Sequence, residues 1–151
     1  MNEAINDTMR ETTTIEKMVF LPVKPDRAFA LFTEQISQWW PEDRRHTKDP
    51  DSEIFLLADG RFFERARDGH EVELGRVRTF DAPRKLVLDF YIGADPLHPT
   101  ELVVTFTPET DGTRVVVEHR ATPASDEIWK LRAPAFERSW GIVLAAFAGT
   151  V

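Results

Sequence analysis

The 151-residue chain contains no cysteine. Disulfide bridges, thiolate metal sites and cysteine nucleophiles are therefore excluded together, and a reducing, cytoplasmic compartment is the matching expectation. Positive charge is also in short supply. There are 26 acidic against 19 basic residues, a net charge of −7. Proteins that track nucleic-acid phosphates carry a basic stripe, and anionic lipid surfaces repel an acidic chain. Neither nucleic acid nor membrane insertion is expected. No apolar run approaches the ~20 residues of a membrane helix. The opening Met1-Asn2-Glu3-Ala4-Ile5-Asn6-Asp7 lacks the basic start and apolar core of a secretion signal. The four histidines, His46, His70, His98 and His119, never fall at metal-ligand spacing, so no metal and no cofactor is implied. Ser37, Ser52, Ser125 and Ser139 occupy no Gly-x-Ser-x-Gly elbow, and no glycine cluster forms a phosphate-cradling loop.

What the chain does have is punctuated alternation. Asp59-Gly60, Asp68-Gly69 and Asp111-Gly112 each separate runs of β-type residues, and Asp-Gly suits tight hairpins because both residues tolerate positive φ. Asp81-Ala82-Pro83-Arg84 supplies a fourth turn. Strands are expected over 13–21, 53–58, 61–66, 71–80, 85–92, 101–108 and 113–120. Within them Leu86, Leu88 and Phe90 share a face, as do Leu102, Val104 and Phe106, and Val115, Val117 and His119. Pro25-Asp26 marks a helix start that places Phe29 and Phe32 together, and a short turn over 34–38 leads to Trp39-Trp40-Pro41. Phe136, Trp140, Val143, Leu144 and Phe147 form an apolar stripe at i, i+4, i+7, i+8 and i+11. This predicts a helix over 134–148, with Ser125 capping a separate earlier piece that carries Trp129, and Pro134 breaking or kinking the run. Residues 1–12 read as a frayed tail and 13–151 as one α+β domain, an antiparallel sheet of about seven strands curved around the C-terminal helix.

The ordered segments resemble a known family. Val19-Phe20-Leu21-Pro22-Val23 leading into Pro25-Asp26-Arg27-Ala28-Phe29-Ala30-Leu31-Phe32 is similar to the opening of the START-like, or helix-grip, superfamily. Gly60-Arg61-Phe62-Phe63-Glu64-Arg65, Gly75-Arg76-Val77, Asp81-Ala82-Pro83-Arg84-Lys85-Leu86-Val87-Leu88, Thr105-Phe106-Thr107-Pro108, Gly112-Thr113-Arg114-Val115, Glu118-His119 and Trp140-Gly141 follow in order. Together they resemble the bacterial branch named after the activator of Hsp90 ATPase homologue 1, also called SRPBCC-domain proteins. The resemblance covers about residues 13 to 148. It implies a helix-grip fold, while the superfamily ranges over lipid carriers, hormone receptors, polyketide cyclases and a co-chaperone domain, so fold does not fix function.

A hollow between sheet and helix is the expected site, for a small hydrophobic or aromatic molecule. Its candidate lining is Trp39, Trp40, Phe55, Phe63, Glu64, Val77, Leu88, Phe90, Leu102, Val104, Val117, His119, Phe136, Trp140 and Leu144. The alternatives are a co-chaperone-like interaction module, with a protein partner or a second copy, and a cyclase- or hydrolase-like enzyme using His119, Glu64 and Arg76; the reading leans away from catalysis. His119 is either an acid, base or ligand donor, or a satisfied core histidine. Glu64 is either a desolvated base with a raised pKa, or a rim ion pair or inward charge that limits edge pairing. The charged segment from Glu42 to Asp51 is either a lid or a solvated connection.

Overall fold

The computed structural model describes residues 14–151; the expected tail, 1–12, lies outside the described residues. The sequence's alternating runs form seven antiparallel strands: β1 (Ile15–Leu21), β2 (Glu53–Leu56), β3 (Arg61–Arg65), β4 (Glu71–Asp81), β5 (Lys85–Asp95), β6 (His98–Glu109) and β7 (Gly112–Arg120). The sheet runs in the order β1-β7-β6-β5-β4-β3-β2 and curls into a half-barrel. The helices are α1 (Pro25–Thr33), α2 (Ile36–Trp39) and α3 (Asp126–Ala148), with single 3₁₀ turns at Glu42–Arg44 and Pro123–Ser125. Among the described residues no helix is long and apolar enough to cross a membrane.

Register fixes which side chains meet inside. One inner row runs Phe62, Gly75, Phe90, Thr100 across β3 to β6; another runs Val77, Leu88, Leu102, His119, Ile15 from β4 to β1. Side chains that pair directly across strands share a face, so each row is a mainly apolar strip facing α3, interrupted only by Thr100 in the first and His119 in the second. From that helix Trp129, Phe136, Trp140, Val143, Leu144 and Phe147 are buried. Phe29 and Phe32 of α1 plug the far end, packed edge-on against Phe106.

The Asp-Gly turns behave as expected, with φ of 117° at Gly60 and 92° at Gly69, whereas in the last hairpin Asp111 takes the positive φ of 66°. Two elements differ from the sequence reading. β5 and β6 extend to meet in a hairpin at Asp95–His98, where the Asp95 carboxylate accepts from the Leu97 and His98 amides. The last helix is also a single 23-residue rod rather than two pieces. Pro134 removes one backbone bond, but it lies on the exposed face, while Trp129 and Phe136 on either side are buried and hold the axis through it. Ser125 does not cap α3. Its hydroxyl accepts from the Thr122 amide at 2.9 Å, closing the preceding 3₁₀ turn.

Candidate functional site

Two clusters of buried polar groups lie on the inner side of the sheet. The first is at β7. His119 has no exposed surface. Its Nδ1 accepts from the Trp140 indole N–H at 3.0 Å, so the proton resides on Nε2, which donates to Thr100 Oγ1 at 2.7 Å. Thr100 Oγ1 in turn donates to the Phe90 carbonyl at 3.2 Å. Phe136, Phe90 and Trp129 surround the imidazole with centroids 4.6, 5.1 and 5.1 Å away. Burial among these rings pushes the His119 pKa down to about 3, because a charged imidazolium there would be desolvated with no counter-ion. A neutral, fully bonded histidine anchors rather than transfers protons.

The second cluster is at β3. Glu64, likewise without exposed surface, accepts from the amides of His46 (2.7 Å) and Thr47 (3.0 Å) and from the Thr47 hydroxyl (2.6 Å). Burial pulls its pKa upward, but these bonds, with Ser52, outweigh it and hold the carboxyl below its ordinary value. The raised-pKa alternative is thereby corrected: donors aimed at the carboxylate favour its charged form. Arg45 completes the clamp, donating to the carbonyls of Ser52 and Ser37 at 2.6 Å each and of Trp40 at 3.2 Å. The segment from Glu42 to Asp51 is thus pinned as a wall at two points, Arg45 and the Glu64 carboxylate, which makes it neither a free lid nor merely a solvated connection.

Beside that wall is a cleft of about 220 Å³, bordered by His46, Val72, Leu74, Tyr91, Ile92 and Gly93. Gly93 has φ of 72°. A Cβ there would stand 2.6 Å from the Phe136 ring, closer than packed carbons tolerate. The ring of α3 therefore rests directly on the β5 backbone at the cleft, and behind it stand His119 and Trp129. Alternation in the sequence could not show this contact. The signal available for it was the glycine interrupting an otherwise bulky strand.

Of the fifteen expected lining residues, Trp39, Trp40, Glu64, Val77, Leu88, Phe90, Leu102, Val104, Val117, His119, Phe136, Trp140 and Leu144 are buried, and their rings fill much of the space between α3 and the sheet: Trp39 lies 4.9 Å from Phe147 and Trp140 5.8 Å from Phe90. Phe63, also buried, and the half-buried Phe55 are elsewhere. They pair across β2 and β3 and stack at 5.0 Å on the outer face, where the Arg61 guanidinium covers Phe63 at 3.7 Å. Phe62, one residue earlier, takes the inner position against Trp40 and Phe90. With two phenylalanines in succession one must face outward, and the β-bulge at Phe62/Phe63 re-sets the pairing with β4. Arg76 is exposed and pairs with Arg61 on that same outer face. His119, Glu64 and Arg76 therefore do not converge on one point.

A seven-stranded half-barrel closed by one long C-terminal helix, with an aromatic interior and a cleft at its rim, defines the helix-grip class. Residues 22–151 match the family described as Activator of Hsp90 ATPase homolog 1-like protein, and the chain belongs to that family. No curated protein matches the chain in sequence. Among solved structures, CalC from Micromonospora echinospora, described as a self-sacrificing resistance protein, is 27% identical with a TM-score of 0.69 over 91% of this chain and 92% of its own. CV1439 from Chromobacterium violaceum is 16% identical with a TM-score of 0.65, over 93% and 97%. DynU16, from the dynemicin biosynthetic locus, is 15% identical with a TM-score of 0.58; 90% of this chain covers 46% of that one, so the chain spans about half its length.

Proposed function

We propose that this protein binds a small hydrophobic or aromatic molecule at the cleft between β4, β5 and the pinned wall, with the ligand passing Phe136 toward the interior beneath α3. The observation that carries this reading is the contact of Phe136 with Gly93 at the cleft's edge. A single aromatic side chain stands between solvent and a ring-lined interior, and its rotation converts a shallow depression into a deep apolar site. The helix-grip architecture supports the same reading, as does the likeness to CalC, described as a self-sacrificing resistance protein. Binding rather than catalysis fits the inner polar groups, since His119 is neutral and fully bonded and Glu64 is committed to the wall.

The test is thermal denaturation and tryptophan fluorescence against a panel of bicyclic aromatics, quinones and fatty acids. A ligand present at 100 times its Kd stabilises by about 2.7 kcal/mol, which for a chain of this size raises Tm by roughly 5–10 °C. Trp40, Trp129 and Trp140 adjoin the site, so fluorescence changes with it. A panel in which nothing shifts either signal at the solubility limit would remove the proposal.

A further inference from the structure

The four tryptophans differ in one respect. The indole N–H of Trp39 donates to the Leu31 carbonyl at 2.7 Å, that of Trp40 to the Arg44 carbonyl at 3.2 Å, and that of Trp140 to His119 Nδ1 at 3.0 Å. Trp129 is 3% exposed, and its Nε1 is buried without any acceptor among the described residues. A buried donor left unpaired is destabilising, and native interiors rarely keep one unless something else completes it. Leu or Phe in that position would fill the space without the penalty.

The place of this donor matters. Trp129 packs on Phe136 with centroids 5.5 Å apart and on His119 edge-on at 5.1 Å. Phe136 is the ring seated on Gly93 at the cleft. The order inward is therefore cleft, Phe136, then Trp129 beside His119. His119 has nothing to offer a ligand, since both its nitrogens are engaged. The other inner polar groups, Thr100 and Trp140, are committed in the same chain. Pro134, two residues before Phe136, already lacks its backbone bond within α3, so this stretch of helix is less firmly tied than the turns after it.

We propose that the Trp129 indole N–H is the polar anchor of the binding site, and that the ligand is an apolar ring compound bearing a carbonyl-type oxygen, which displaces Phe136 and accepts that hydrogen bond. This rests on the binding reading above and narrows it from hydrophobic molecules in general to those with one acceptor on an aromatic frame. Selectivity arises because an otherwise identical hydrocarbon fills the site but leaves the donor unpaired. The absence of cysteine means that electrophilic quinones can be used without thiol adducts forming.

A matched pair tests it: 1-tetralone, a bicyclic ketone, against tetralin, the same frame without oxygen, titrated by calorimetry into the full chain and into Trp129→Phe. For the unaltered protein the ketone is expected to bind about tenfold more tightly than the hydrocarbon, the discrimination of one buried hydrogen bond. In Trp129→Phe that ratio falls to near one through loss of ketone affinity alone. If Trp129→Phe does not fold, the ¹⁵N-indole spectrum of the unaltered protein decides instead. The ketone, unlike the hydrocarbon, moves the Trp129 Nε1–H resonance downfield and leaves those of Trp39 and Trp40 in place. Equal binding of both compounds with no Trp129 shift overturns the anchor while leaving the binding site standing. Failure of both compounds to bind overturns the anchor, while the site itself stands or falls with the wider panel above.

Discussion

Glu64 on β3 and His119 on β7 face the same interior, and neither has exposed surface, yet the protein treats them in opposite ways. Glu64 is surrounded by donors from the 42–51 segment and stays charged. His119 is surrounded by rings, accepts one hydrogen bond, donates another and stays neutral. Burial penalises charge in both places. What decides the outcome is whether neighbouring dipoles point at the group, and backbone N–H groups do so only at Glu64. The β3 end is thereby a rigid wall tied by a charge, whereas the β7 end is an apolar chamber with one polar chain through it. The binding site proposed above lies in the second, with the wall beside its mouth.

This contrast breaks most sharply at Glu64. Glu64→Ala leaves the amides of His46 and Thr47 and the Thr47 hydroxyl without their acceptor, and should cost about 4 kcal/mol, the sum expected when several bonds to a charged group are lost. Urea denaturation measures the loss, and protease nicking between Glu42 and Asp51 should become fast while the rest of the chain resists. A wall that stays protected after that substitution would contradict the clamp. At the other end, His119→Leu removes the partners of Trp140 and Thr100 but fits an apolar chamber, so about 2 kcal/mol is expected.

Acid separates the two groups. His119 binds its proton readily only when unfolded, where its pKa is 6.5, against about 3 when folded. Its contribution is therefore complete above pH 6.5 and is lost as pH falls toward 3, with a limiting slope of ~1.4 kcal/mol per pH unit. The Glu64 pKa is lowered on folding from a model-compound value of 4.5, so its contribution is present above that value and declines only as pH falls below it. Between pH 6.5 and 4.5 the acid-side slope should belong to His119, vanish in His119→Leu and persist in Glu64→Gln. The smallest effect is expected outside. Arg61 lies over Phe63 and pairs with Glu71 and Glu73 at the surface, where ion pairs contribute little. Arg61→Ala should leave ligand binding unchanged and move the denaturation midpoint less than either inner substitution; a lost ligand response would mean that the outer face takes part.

Much of this was legible in the chain. The Asp-Gly turns and the alternation of Leu86-Leu88-Phe90 and Val115-Val117-His119 are local signals, and backbone preference alone turned them into strands and faces. The C-terminal stripe announces its helix equally well but not its full length, because helix propensity at Pro134 is a local cost that packing of Trp129 and Phe136 overrides. Phe55 and Phe63 read as lining residues in sequence because hydrophobicity does not say which of two successive phenylalanines turns inward; a β-bulge and the Phe55–Phe63 pairing decide that. The wall was the least legible part, because its anchors, Glu64 to His46 and Thr47 and Arg45 to Ser37, join segments distant in sequence through backbone groups that every residue possesses.

The sequence by itself determined the element order, the apolar faces of β5, β6 and β7 and the family, since these follow from residue spacing and short-range conformational preference. Only the tertiary structure decided that a buried carboxylate is charged and a buried imidazole is not, that Phe136 seats on Gly93, and that one indole of four lacks an acceptor. Each of these depends on the direction of a dipole or ring contributed by a remote segment, and direction across space is not encoded in any local window of the chain.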